Sequence, residues 1–172
     1  MGKSIFILIF LSASLLFSRT RIMVIIDSDV EFDLYQVIYP PSVFPTYYRP
    51  TQASGFNPNG ILLTVGYQRI GNLHDISNVY VSTRGSGSFS ASIALDQLYF
   101  APGGEPLPPA GVDPPGGNWR AFSILYQEIE CLEVSGPGLK RFERPQDYIF
   151  KAESDDESGD QSITLYYRVY GL

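Results

Sequence analysis

Two carboxylates stand two residues apart in the stretch YQEIECLEV. On an extended strand Glu128 and Glu130 would share one face, roughly 6.6 Å apart from the rise per residue. That spacing is near the lower end for the acid/base pair of an inverting glycosidase. Glycosidase carboxylates, however, flank the substrate from opposite sides and come from different strands. Two Glu at i and i+2 are the ordinary mark of a solvated strand face. His74 is the sole histidine, followed by Asp75 in GNLHDIS. Neighbours along a strand point to opposite faces, and no G-x-S-x-G or similar nucleophile setting accompanies the pair. One His and one Cys cannot assemble a zinc site. We therefore expect no enzyme, no catalytic residue and no cofactor.

Three further groups are candidates for binding. The stretch ESDDESGDQS (153–162) gathers Asp155, Asp156, Glu157 and Asp160, the oxygen-rich chemistry that calcium prefers. It lacks the EF-hand spacing and reads more simply as a polar hairpin loop. Trp119, Tyr47, Tyr48, Tyr166 and Tyr170 could stack on the C–H faces of sugars. The same rings serve equally as cross-strand partners or as anchors between subunits, and all three readings stand. Cys131 is the only cysteine, with Ile129 and Leu132 beside it. No disulfide can form within the chain, and a buried, unpaired thiol is expected.

Composition narrows the elements that must position these groups. The 172 residues include 12 Tyr, 11 Phe, 16 Gly and 13 Pro, a β-rich and turn-rich inventory long enough for one core. The net charge is -6, without a Lys/Arg cluster beyond Lys140-Arg141, which excludes electrostatic binding of nucleic acid. The opening MGKSIFILIFLSASLLFS resembles a secretory signal peptide, with Lys3 ahead of an apolar run and small residues after it. The run 5–17 is too short for the ~20 residues a membrane span needs, so no stable membrane anchor is expected. The expected location is extracellular or at the cell surface. No N-x-[ST] sequon occurs.

Period-two alternation marks strands at SFSASIAL (88–95), SITLYYRVY (162–170), ILLTVGYQRI (61–70), NVYVSTR (78–84) and DYIFKA (147–152). RAFSILYQEIECLEV (120–134) also fits a helix face, but its Ile, Tyr, Phe and Val content favours strand, with a break near Gln127. The segments 40–60 and 101–117 carry five and six prolines, so neither is an interior strand. Large aromatics in or beside them suggest covers over the sandwich or contact surfaces. The sum is an all-β fold: an antiparallel two-sheet sandwich, immunoglobulin-like or jelly-roll, with long Pro/Gly-rich loops. Residues 1–18 form the signal segment, 19–38 an N-terminal strand segment, and 39–172 the sandwich domain.

That N-terminal segment, RIMVIIDSDVEFDLYQV, is apolar on both faces over 22–26 and alternating over 30–38. An export signal, an apolar strand ahead of a disulfide-free sandwich and no catalytic motif together resemble pilus-like filament subunits of bacteria and archaea that assemble by donor-strand complementation. The resemblance implies that part of 20–38 completes the sheet of a neighbouring copy. The interface row would be Val30, Phe32, Leu34 and Ile38, the partner another copy of the chain, and the product a head-to-tail filament. The alternative expectation is a secreted monomeric carbohydrate-binding or adhesion module that contacts surface glycans. The signal reading predicts that the intact mass of exported protein lacks about residues 1–18. A mass that includes Met1 overturns it.

Overall fold

The computed structural model describes residues 19–32, 43–70, 78–91, 93–134, 138–156 and 160–172. Nine strands lie among them: β1 (Arg19–Ile26), β2 (Thr46–Tyr48), β3 (Gly60–Ile70), β4 (Asn78–Gly85), β5 (Leu98–Pro102), β6 (Arg120–Ala121), β7 (Gln127–Glu133), β8 (Gly138–Ala152) and β9 (Leu165–Gly171). They form two antiparallel sheets. The larger has the order β1-β3-β8-β5-β6, with β2 also on β8; the smaller has the order β7-β4-β9. The fold is the expected all-β, two-sheet sandwich.

Alternation sorts the side chains. Ile61, Leu63, Val65 and Tyr67 of β3 meet Val79 and Val81 of β4, with Phe100, Phe122, Tyr148 and Tyr167 closing the core. Each such side chain contributes roughly 1.5–3 kcal/mol if fully buried. Tyr148 of the larger sheet and Tyr167 of the smaller join hydroxyl to hydroxyl across the core. Burial pushes both phenols up, that of Tyr167 to about 12.

The opposite parity of the larger sheet holds a second cluster of Tyr47, Tyr99, Ala101, Trp119 and Ile149. The Pro/Gly segment after β5 covers it. The Tyr47 hydroxyl donates to the Val112 carbonyl at 2.6 Å, the Gly111 amide to Pro45 at 2.8 Å, and the Trp119 indole to Pro106 at 2.8 Å. Lys151 bridges Asp113 and Glu153 at 3.2 and 2.6 Å. Burial opposes its charge, but these two bonds hold the ammonium above its ordinary pKa.

β8 is longer than its sequence suggests, because Pro145 interrupts the pattern. The Leu62 amide donates to Asp27 Oδ1, away from β8. Its partner Pro145 therefore turns its missing amide away from β3 as well, toward the side where β5 has ended. There the proline removes no ladder bond, and its carbonyl accepts the Gly103 amide at 2.9 Å. SFSASIAL is a correction: its alternation does not make a strand. The Phe89 and Ser90 amides turn back to the Ile93 carbonyl, and the Ser90 hydroxyl accepts the Ile93 amide at 3.0 Å. Serine bonds of this local kind compete with a ladder, and a short 3-10 turn at Leu95–Gln97 follows.

Asp147 sits where β3, β8 and the two loops converge, and it is almost wholly buried. Its carboxylate accepts from Asn57 Nδ2 at 3.2 Å, from Arg49 Nη1 at 3.0 Å and from the Gly104 amide at 3.0 Å. Asp147→Ala leaves these donors without their acceptor, and is expected to cost about 3 kcal/mol in urea unfolding. A change below about 0.5 kcal/mol, the ordinary range for a surface site, contradicts this account.

Candidate functional site

The strand that carries Glu128, Glu130 and Cys131 does not alternate simply. Along β7 against β4, Val81 faces Glu130 and Ser82 faces Glu128, so Ile129 is an extra residue. This β-bulge shifts the phase of the strand. Ile129 and Leu132 both enter the core, three residues apart. Cys131 is exposed, which corrects the expectation of a buried thiol. In a regular strand it would share the inward face of Ile129; beyond the bulge it does not. The two glutamates are separated by the same device. Glu128 is exposed, while Glu130 accepts from Gln146 Nε2 at 3.1 Å and stands 3.8 Å from Arg144. Burial raises the Glu130 pKa, against the pull of Arg144 and Gln146.

β4 presents Tyr80, Ser82 and Arg84 on the parity opposite to its core residues. The register places Tyr170, Arg168 and Tyr166 of β9 beside them. Tyr80 and Tyr170 stack at 5.3 Å, only 14° from parallel. Arg168 lies 4.3 Å over the Tyr126 ring and 5.2 Å from that of Tyr170. Arg84 lies 4.6 Å over Tyr166 and 5.3 Å from Tyr126. The outer face of the small sheet is thus a continuous ladder of rings and guanidiniums, with Ser82 buried at the centre of its row. Each such contact is worth about 0.5–1 kcal/mol at an exposed site. Tyr80 also bonds the Cys131 side chain, and this bond, ahead of the thiol's charge, raises the phenol's pKa.

The aromatic residues singled out in the sequence divide. Tyr166 and Tyr170 belong to this face; Tyr47 and Trp119 are buried in the second cluster, and Tyr48 packs beside Phe150. Tyr80, Tyr126, Arg84 and Arg168 were missed. The signal for Tyr80 and Arg84 was the parity of NVYVSTR, where they oppose Val79 and Val81, and that for Arg168 was the parity of SITLYYRVY, which it shares with Tyr166 and Tyr170. An open depression of about 350 Å³ is lined by Pro102, Gly117, Asn118, Trp119 and Arg120, and no carboxylate pair lines it.

His74 and Asp75 lie outside the described residues, as do Glu157, Leu34 and Ile38. In the acidic loop, Asp156 accepts from Gln97 Nε2 and from the Glu153 amide, both at 2.8 Å. Asp155 is exposed and Asp160 lies at the start of the last described segment. Among the described residues no group of three His, Cys, Asp or Glu is arranged to hold a metal. Val30 and Phe32 of the expected interface row pack within their own chain: both lie against the main core, Phe32 with its ring 6.0 Å from that of Phe150, and Glu31 bridges to Gln52. Among the described residues no helix is long and apolar enough to cross a membrane.

No family model, no curated protein and no solved structure matches this chain.

The bulge predicts rapid labelling of Cys131 in the native protein by a disulfide reagent. Replacing it, Cys131→Ala, should lower the pH at which Tyr80 ionises, read from phenolate absorbance in a variant series. A thiol that reacts only after denaturation contradicts the placement.

Proposed function

We propose that this protein is an extracellular structural subunit that polymerises head-to-tail into a pilus-like filament by exchange of its first strand. The observation that supports this is the setting of β1. Among the described residues it is an edge strand, paired with β3 alone through eight consecutive residues, from Arg19↔Ile70 to Ile26↔Leu63. Its inward row of Ile22, Val24 and Ile26 packs against the core, while Met23 and Ile25 are 43% and 36% exposed. A strand with apolar residues on both faces and one open edge is a hazard for a monomer, and an advantage for a polymer.

Exchange uses contacts already present. A β1 from a second copy can lie beside β3 in the same register, so the polymer requires no new interface chemistry. Asp27 anchors the strand's end, since its carboxylate accepts the Leu62 amide and the Ser54 hydroxyl. The irregular residues after it are where a chain leaving its own domain would turn. The donated strand on this reading is β1, rather than the row of Val30 and Phe32, which lie in irregular backbone after the ladder has ended.

Chain exchange can be read with a cysteine pair. Val24 and Val65 are directly opposed in the β1–β3 ladder. The Leu62 amide points toward β1, so by alternation Val65 is a non-hydrogen-bonded position there, where Cα atoms approach to about 4.5 Å, within disulfide reach. A Val24→Cys/Val65→Cys variant in a Cys131→Ser background should give filaments by electron microscopy and a covalent ladder on a non-reducing gel. Oxidised monomer alone, with no filaments, overturns the proposal.

A further inference from the structure

The outer face of β4 and β9 points to a second role, independent of polymerisation. We propose that the Tyr80, Tyr126, Tyr166, Tyr170, Arg84 and Arg168 face is a binding platform for acidic polysaccharide, of the polyuronate class.

Charge is the first argument. The chain is acidic, at -6. Among the other arginines whose side chains are described, Arg49 is matched to Asp147, Arg141 to Glu143 and Arg144 to Glu130. Arg84 and Arg168 have only tyrosine rings among the described residues. Two guanidiniums on one face of an acidic protein, neither in an ion pair with a described carboxylate, are complementary to an anion. Arg120 of β6 lies over the Phe100 ring of β5 and within the electrostatic reach of Glu130, away from this face.

Geometry is the second. A guanidinium stacked on a ring keeps its in-plane N–H edges free, and these form the fork that grips a carboxylate. Stacking also orders the side chain beforehand, so less freedom is lost on binding. Arg84 and Arg168 are diagonal neighbours across the β4–β9 ladder, a spacing of about 7–8 Å. They can meet carboxylates on successive parts of one extended ligand. The tyrosines supply what a simple anion does not require. Tyr166 is 41% and Tyr126 38% exposed, and such rings accept the C–H face of a pyranose. The ladder runs along both strands, as a polymer that binds along its length requires.

The surrounding charges set a limit. Glu128 opposes Ser82 on the β7 side, and Glu133 opposes Asn78 at the far end of the same strand. They repel a polyanion that spreads across β7, so the ligand should run along β4 and β9.

The test is titration of the full chain with fluorescently labelled alginate oligosaccharides at low salt. Wild type should bind, and added salt should weaken binding because the charged part is screened. Arg84→Gln and Arg168→Gln should each weaken it by about tenfold, the size of one charge-assisted hydrogen bond. Tyr126→Ala should weaken it with the charges intact. Arg120→Gln should leave it unchanged, and the thermal unfolding of each variant shows whether the fold is kept. Absence of alginate binding by wild type overturns the proposal. So does equal binding by an Arg84→Gln/Arg168→Gln double variant that remains folded. Polyglutamate bound as tightly as alginate would make the face an acidic-peptide dock instead, and equal binding of neutral maltooligosaccharide would remove the role of the arginines.

Discussion

The buried carboxylate of Asp147 is the constraint around which the larger sheet is arranged. A charge taken out of water must be met by donors, and here they come from two distant parts of the chain: Arg49 and Asn57 before β3, and the Gly104 amide after β5. The bonds fix where the segment before β3 and the turn after β5 lie on β8. Arg49 carries the link further, donating to the Glu105 carbonyl and lying 5.3 Å over the Trp119 ring. Glu105 in turn accepts from both nitrogens of Asn118 at 2.9 Å, bonds that hold its carboxyl below the usual range. The loops are rich in proline and glycine, yet they are tied at defined points to one acid.

The same junction explains how β8 changes partners. β3 runs beside it only as far as Asp147, and β2 takes over the same edge at Phe150. Gly60 ends the first pairing: a Cβ there would lie 2.1 Å from the Gln146 carbonyl. The Asn57 amide then fills the gap, donating to the Ile61 and Gln146 carbonyls at 3.1 and 3.0 Å. Backbone groups that would be orphaned where one strand leaves another are thereby satisfied.

Much of the fold was legible in the sequence because burial on one face imposes period two. β3, β4 and β9 follow their patterns, and the Tyr/Arg face is the unburied half of the same alternation. What was not legible depends on single non-local bonds. The bulge at Ile129 exists in relation to β4, and it alone exposes Cys131 and parts Glu128 from Glu130. The first half of β8 was hidden because Pro145 looks like a breaker, when its missing amide falls where β5 has already ended. SFSASIAL shows the reverse error: Phe89, Ile93 and Leu95 do turn toward the interior, but a folded loop delivers them, because the Ser90 hydroxyl offers the backbone a closer partner than any strand.

The position of β8 in the chain has a consequence for how the molecule comes to exist. The strand that joins β3 to β5 spans Gly138–Ala152, while its partners lie far upstream. The larger sheet cannot close until the chain has been synthesised through β8. Until then β1 and β3 form at most a two-stranded ribbon, which is marginal in water by itself. Contacts so distant in sequence make folding slow, and an unfolded interval of this length leaves the nascent chain available to any machinery that handles extended polypeptides.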